Sequence, residues 1–114
     1  MIQFLIPPVP RDPPNEFSST AHSSSSIYLT WSEPSLPYGI ILHYTIEYNQ
    51  SHNSTITIRV EAQSRSYVVN DLNEYTVYNF SIYASTRVGD GPRATTTAKT
   101  HESCMYFCRE IVQT

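Results

Sequence analysis

Three asparagines of this 114-residue chain stand in Asn-x-Ser/Thr triplets: Asn49-Gln50-Ser51, Asn53-Ser54-Thr55 and Asn79-Phe80-Ser81. Such a triplet can accept N-linked glycan on the asparagine amide, provided the side chain is accessible and the chain is secreted. A chain rich in Ser, Thr and Asn also produces these triplets by chance. Here, however, all of them fall where exposure is expected. A second chemical cluster is Cys104 and Cys108, with His101 nearby. A disulfide needs Cα atoms ~4.4–6.8 Å apart. Extended chain at ~3.3 Å per residue holds residues four apart at ~13 Å, so a helical turn would be required. A zinc site needs a second ligand pair that a lone C-x₃-C does not supply. Three readings stay open for the two cysteines: no role in this chain, a disulfide within or between chains, or a metal.

Catalytic arrangements are missing. Ser, His and Asp are present, as in almost any chain, but there is no G-x-S-x-G elbow, no H-E-x-x-H and no G-x-x-x-x-G-K loop. His22, His43, His52 and His101 share no spacing. His43, beside Tyr44, is expected to be solvated on the strand face opposite the core. Gly89-Asp90-Gly91 reads as a turn that needs positive φ, not as a nucleotide loop. Arg87-Val88-Gly89-Asp90 lacks the arginine directly before glycine that an integrin-type loop uses. The chain is read as not an enzyme, and no cofactor or metal site is assigned.

The elements that would hold these residues are strands. Tyr78, Phe80, Ile82 and Ala84 alternate with Asn79, Ser81 and Tyr83. A period of two sends alternate side chains to opposite faces, so the stretch is a half-buried strand with Asn79 outward. Ile27 and Leu29 alternate with Tyr28 and Thr30 and lead to Trp31, the single tryptophan. Pro34, Ser35, Pro37 and Gly39 mark a turn. Ile41, Tyr44, Ile46 and Tyr48 mark the next strand, and Ile56, Ile58 and Val60 share one face of another. Tyr67-Val68-Val69 is short, Ala94 to Thr100 is Thr-rich and extended, and a weak first strand lies near Phe17 to Ala21. Asn49 and Asn53 then flank an exposed turn. No window of ten or more residues has helical spacing with a cap. Short strands with regular turn signals give an all-β, seven-stranded immunoglobulin-like sandwich.

Trp31, Pro34, Gly39-x-Ile41-x-x-Tyr44-x-Ile46-x-Tyr48, Leu72-x-x-x-Thr76-x-Tyr78, Ala84 and Gly89-x-Gly91 together resemble the fibronectin type III module, from about Pro8 to Thr100. The resemblance implies a core of Trp31, Tyr44, Ile46, Leu72, Tyr78, Phe80 and Ile82, with Trp31 between the sheets. It also implies that Leu72 and Tyr78 form a tyrosine corner, the hydroxyl bonding backbone a few residues upstream. Glu74 stands where the family often has proline. Gly39 to Tyr44, Ala84 to Gly91 and Ser23 to Leu29 are, more narrowly, similar to ectodomain repeats of receptor-type protein tyrosine phosphatases. Such proteins string many modules before a membrane span and a phosphatase domain, none of which would lie in this chain. Other adhesion ectodomains compete as parents.

Length fits one domain, and a domain of this size buries about two-thirds of its unfolded surface, enough for a core without staples. The expected division is a Pro-rich lead-in over residues 1–12, the sandwich over 13–100 and a tail over 101–114. Pro7, Pro8, Pro10, Pro13 and Pro14 make the lead-in stiff, as befits a linker from a preceding module. Met1 to Ile6 is too short for a signal peptide, and no stretch approaches the ~20 apolar residues of a membrane span. The chain is read as a piece of a larger secreted or membrane protein, extracellular, without direct membrane contact. Charged residues are 15% and net charge is −3, with Lys and Arg scattered, which argues against nucleic acid or heparin-like partners. The expected function is a spacer and protein-interaction or adhesion module. It would neighbour other such domains, have a protein partner not named by the sequence, and be monomeric when isolated. The alternative is a ligand-binding module of a cytokine-receptor-like ectodomain. That class carries a Trp-Ser-x-Trp-Ser box and cysteines on early strands, whereas this chain has one Trp and no Cys before position 104.

Overall fold

The computed structural model describes residues 9–37, 39–50 and 54–102. Met1 to Ile6, His52, Asn53, Cys104 and Cys108 lie outside them. Seven strands form: β1 (Asn15–Ala21), β2 (Ile27–Ser32), β3 (His43–Gln50), β4 (Ile56–Glu61), β5 (Ser66–Val69), β6 (Val77–Ser85) and β7 (Ala94–Lys99). They make two antiparallel sheets, in the orders β1-β2-β5 and β4-β3-β6-β7.

Strict alternation fills the space between the sheets. Ile27, Leu29 and Trp31 of β2 point inward, as do Tyr44, Ile46 and Tyr48 of β3 and Tyr78, Phe80, Ile82 and Ala84 of β6. Leu72 is buried beneath them. Register places Ile46 against Ile82 and Tyr48 against Phe80 across β3 and β6. At one end the Trp31 and Tyr44 rings lie 5.7 Å apart. At the other, Tyr48, Tyr78 and Phe80 pack with centroids 5.7 to 6.4 Å apart. Tilted rings at such spacing add about 0.5–1.5 kcal/mol per pair to the burial of their area.

Ile56, Ile58 and Val60 share one face, opposite Tyr48, Ile46 and Tyr44 of β3. Ile58 and Val60 pack against the core, while Ile56 is 50% exposed. Its strand is the edge of a four-stranded sheet facing a three-stranded one, so the far end of β4 is left uncovered. Two expectations need correction. The first strand begins at Asn15, earlier than its weak pattern suggests, and a bulge between Asn15 and Ser18, with Glu16 at φ 54°, shifts its register on β2. Gly89 and Gly91 do not hold positive φ, which among the described glycines belongs to Gly39 at 153°. Their lack of a side chain serves close approach instead. A Cβ on Gly91 would sit 2.6 Å from Pro10 Cβ, and one on Gly89 would sit 3.1 Å from Val9 Cγ1.

That approach shows where the packed module starts. Pro10 and Pro14 are buried, so part of the lead-in already belongs to the domain. The Arg11 amide donates to Leu36 O at 2.9 Å. Asp12 accepts the amides of Leu36 at 2.8 Å and Ser35 at 2.9 Å. A carboxylate with two backbone donors is held in its charged form. The Leu36 amide is the main cause that lowers the Asp12 pKa, with the Ser35 amide adding to it. A lowered carboxylate stabilises the fold above its unfolded pKa, about 3.9, and loses that contribution as pH falls through the folded value. The melting temperature of the parent should therefore exceed that of Asp12→Asn at neutral pH. The gap should close in acid below the carboxylate range. A gap that stays constant with pH would contradict the clamp.

The turn before β6 is closed by side chains. Tyr78 Oη accepts the Asn73 amide at 2.8 Å and the Gln50 amide group at 3.1 Å. Thr100, 2% exposed, donates to Asn73 O at 2.6 Å and accepts the Thr76 amide at 2.9 Å. Both backbone groups of Asn73 are thus held from opposite sides. Asp71 and Tyr75, at φ 61° and 50°, turn the chain around the Glu74 position.

Candidate interaction surface

The chain enters the sandwich at the end formed by the β2–β3 and β6–β7 loops, and these loops carry exposed apolar side chains. Ile40 is 82% exposed, Leu42 51% and Val88 41%. With Gly39, Thr86 and Arg87 they line one shallow depression of about 370 Å³. The floor is rigid. The Leu42 amide donates to Ser85 O at 2.8 Å, joining the two loops. The Thr86 amide donates to Gly89 O at 3.0 Å and the Gly91 amide to Ala84 O at 2.8 Å. Ser85 Oγ donates to Asp90 Oδ1 at 2.7 Å, so the Asp90 carboxylate fastens its own loop and is not presented as an adhesion motif would need.

The signal for this patch was present in Ile40-Ile41-Leu42. Three apolar residues in succession exceed what one strand face can bury. Ile41 goes inward, at 9% exposure, and its neighbours are left in solvent. Exposed apolar side chains scattered singly need no explanation, but a clustered group marks a contact surface.

The outer face of the four-stranded sheet is polar. Arg93 donates to both Glu47 carboxylate oxygens, at 3.1 and 3.3 Å, and lies 4.5 Å from the Tyr83 ring centroid. His43 lies on this outer face and is partly covered there. Burial lowers its pKa and the Arg59 charge adds to this, against the opposing pull of Asp90. Asn79 is exposed and Asn49 partly covered on the same face. Among the described residues, no three of His, Cys, Asp and Glu gather closely enough to hold a metal ion.

The family model for the fibronectin type III domain matches residues 12–100. The chain belongs to the fibronectin type III family. The phosphatidylinositol phosphatase PTPRQ of Rattus norvegicus is 34% identical over 82 residues, which are 72% of this chain and 3% of that protein. PTPRQ of Homo sapiens is 32% identical over 103 residues, 82% of this chain and 4% of the relative. The cell adhesion molecule DSCAM of Homo sapiens is 35% identical over 91 residues, 73% and 4% respectively. The chain thus spans a few per cent of the length of these relatives. A crystal structure of the chicken CNTN1 FN1–FN3 domains superposes with TM-score 0.74 at 24% identity, covering 83% of this chain and 33% of that one. A redesigned β-sandwich protein superposes with TM-score 0.71 at 21% identity, covering 83% and 95%. Both share the two-sheet fold. The fibronectin type III domain is a non-catalytic module, and the relatives are cell-surface receptors and adhesion molecules.

Proposed function

We propose that this chain is an extracellular fibronectin type III module of a multi-domain cell-surface receptor, acting as a spacer and as a protein-contact unit. The observation that carries the reading is the exposed patch of Ile40, Leu42 and Val88 at the end where the chain enters the sandwich. A module preceding this one would arrive beside Val9, which lies against Gly89, next to Val88. Covering the patch with that neighbour removes apolar surface from water and fixes the angle between the two modules. A large receptor-type phosphatase ectodomain is the parent that the PTPRQ similarity favours.

A two-module protein, made of the preceding module of the parent chain joined through Pro7 and Pro8, tests this. Ile40→Asp with Leu42→Asp should leave the isolated chain within about 0.5 kcal/mol of the parent per site, as surface changes do. In the two-module protein the same pair should lower the melting temperature of this domain, because the neighbour's contribution is lost. Equal effects in both contexts, measured by thermal unfolding, would reject the patch as a module contact.

A further inference from the structure

Two of the three Asn-x-Ser/Thr triplets meet on one surface. In the pairing of β3 with β6, Asn49 lies directly across from Asn79. Glu47 and Ser81 are the next outward pair along the same ladder, and a shallow depression of about 320 Å³ opens there, lined also by Thr55, Thr95 and Thr97. The two amides are held differently. Asn49 Nδ2 donates to Thr55 Oγ1 at 3.2 Å. Asn79 accepts the Thr97 hydroxyl on Oδ1 at 3.2 Å, which orients the amide and leaves Nδ2, the atom that takes a sugar, without a hydrogen bond to the described residues. Tyr78 and Phe80 are anchored in the core on either side, so Asn79 cannot turn inward.

We propose that Asn79 is the N-glycan acceptor on the outer face of the four-stranded sheet, and that glycans on Asn79 and on Asn49 exclude each other in the folded protein. The inference rests on the extracellular reading above. The transfer joins Asn79 Nδ2 to C1 of the sugar and breaks the C1–O bond of a lipid-linked oligosaccharide diphosphate. The proton leaving the amide goes with the released lipid diphosphate. Directly opposed residues on antiparallel strands have Cβ atoms only about 4.5–5.5 Å apart. Two sugar rings cannot stand side by side at that spacing over a sheet whose register is fixed by a buried inner face. Asn79, with its free Nδ2 and greater exposure, takes the position. The small hydroxyl-bearing side chains around it give the first sugar polar partners without a steric wall. A glycan there covers the outer face of β3, β6 and β7, and leaves the patch at the sandwich end free for a neighbour.

The test is glycopeptide mapping of the chain secreted from a eukaryotic host, with and without peptide N-glycosidase. It is run on the parent and on Asn53→Gln, which removes the third triplet. Asn53→Gln should carry one glycan per chain, at Asn79. Adding Asn79→Gln or Ser81→Ala should move that glycan to Asn49. Two glycans on one Asn53→Gln chain, or a glycan on Asn49 with Asn79 bare, would overturn the proposal. A parent glycosylated at Asn53 with both other sites bare would overturn this inference alone. Secreted parent bare at all three asparagines would count against the extracellular reading as well.

Discussion

Trp31→Ala should cost the domain about 3–5 kcal/mol, the largest loss expected from any single change considered. The indole is 3% exposed, on the inner face of β2, with the Tyr44 ring 5.7 Å away. Truncation removes an aromatic side chain at the centre of one end of the core. Tyr44, whose ring packs against it, sits on a strand paired on both sides and can collapse only part-way into the cavity. Domains of this kind have about 5–15 kcal/mol in total, so the variant should be far less stable and, at the lower end, unfolded. Denaturant unfolding followed by circular dichroism reads the loss directly. A variant that melts like the parent would remove Trp31 from the core.

Tyrosines 78 and 44 should respond in opposite ways to loss of the hydroxyl. Both rings are buried. Tyr78 Oη accepts two donors, one of them the Asn73 backbone amide that fixes the turn before β6. Tyr78→Phe strands that amide, and should cost about 1–3 kcal/mol. Tyr44 Oη is buried without a hydrogen-bond partner among the described residues. Its burial accordingly raises the pKa of the phenol. Tyr44→Phe removes a desolvated polar atom that makes no bond, and should be neutral within about 0.5 kcal/mol or stabilising. Tyr83, on the outer face under Arg93, serves as the solvent-side control, with Tyr83→Phe also within about 0.5 kcal/mol. Equal losses at positions 78 and 44 would reject the corner as the source of the Tyr78 effect.

The contrast between the two tyrosines shows how far the sequence could be read. Alternation along Ile27 to Trp31 and Tyr78 to Ala84 carries the sandwich, because a strand's two faces repeat every second residue. It marks Tyr44 and Tyr78 alike as inward, since burial follows position in the strand. Which hydroxyl finds a partner depends on contacts between segments, and periodicity does not carry those. Thr100 closing on Asn73 and Asp12 closing on Leu36 join residues more than twenty positions apart. Gly91 read as a turn glycine, whereas its role is to let Pro10 approach. The surface patch was half legible. The run from Ile40 to Leu42 announces surplus apolar surface, but its meeting with Val88 arises only when the two loops are brought to the same end of the sandwich.

If this end of the module packs against a neighbour, ¹⁵N relaxation of the two-module protein will show it. Both modules should share one overall tumbling time, and Ile40→Asp with Leu42→Asp should separate them into two faster, independent ones. Independent tumbling in the unmodified pair would contradict it.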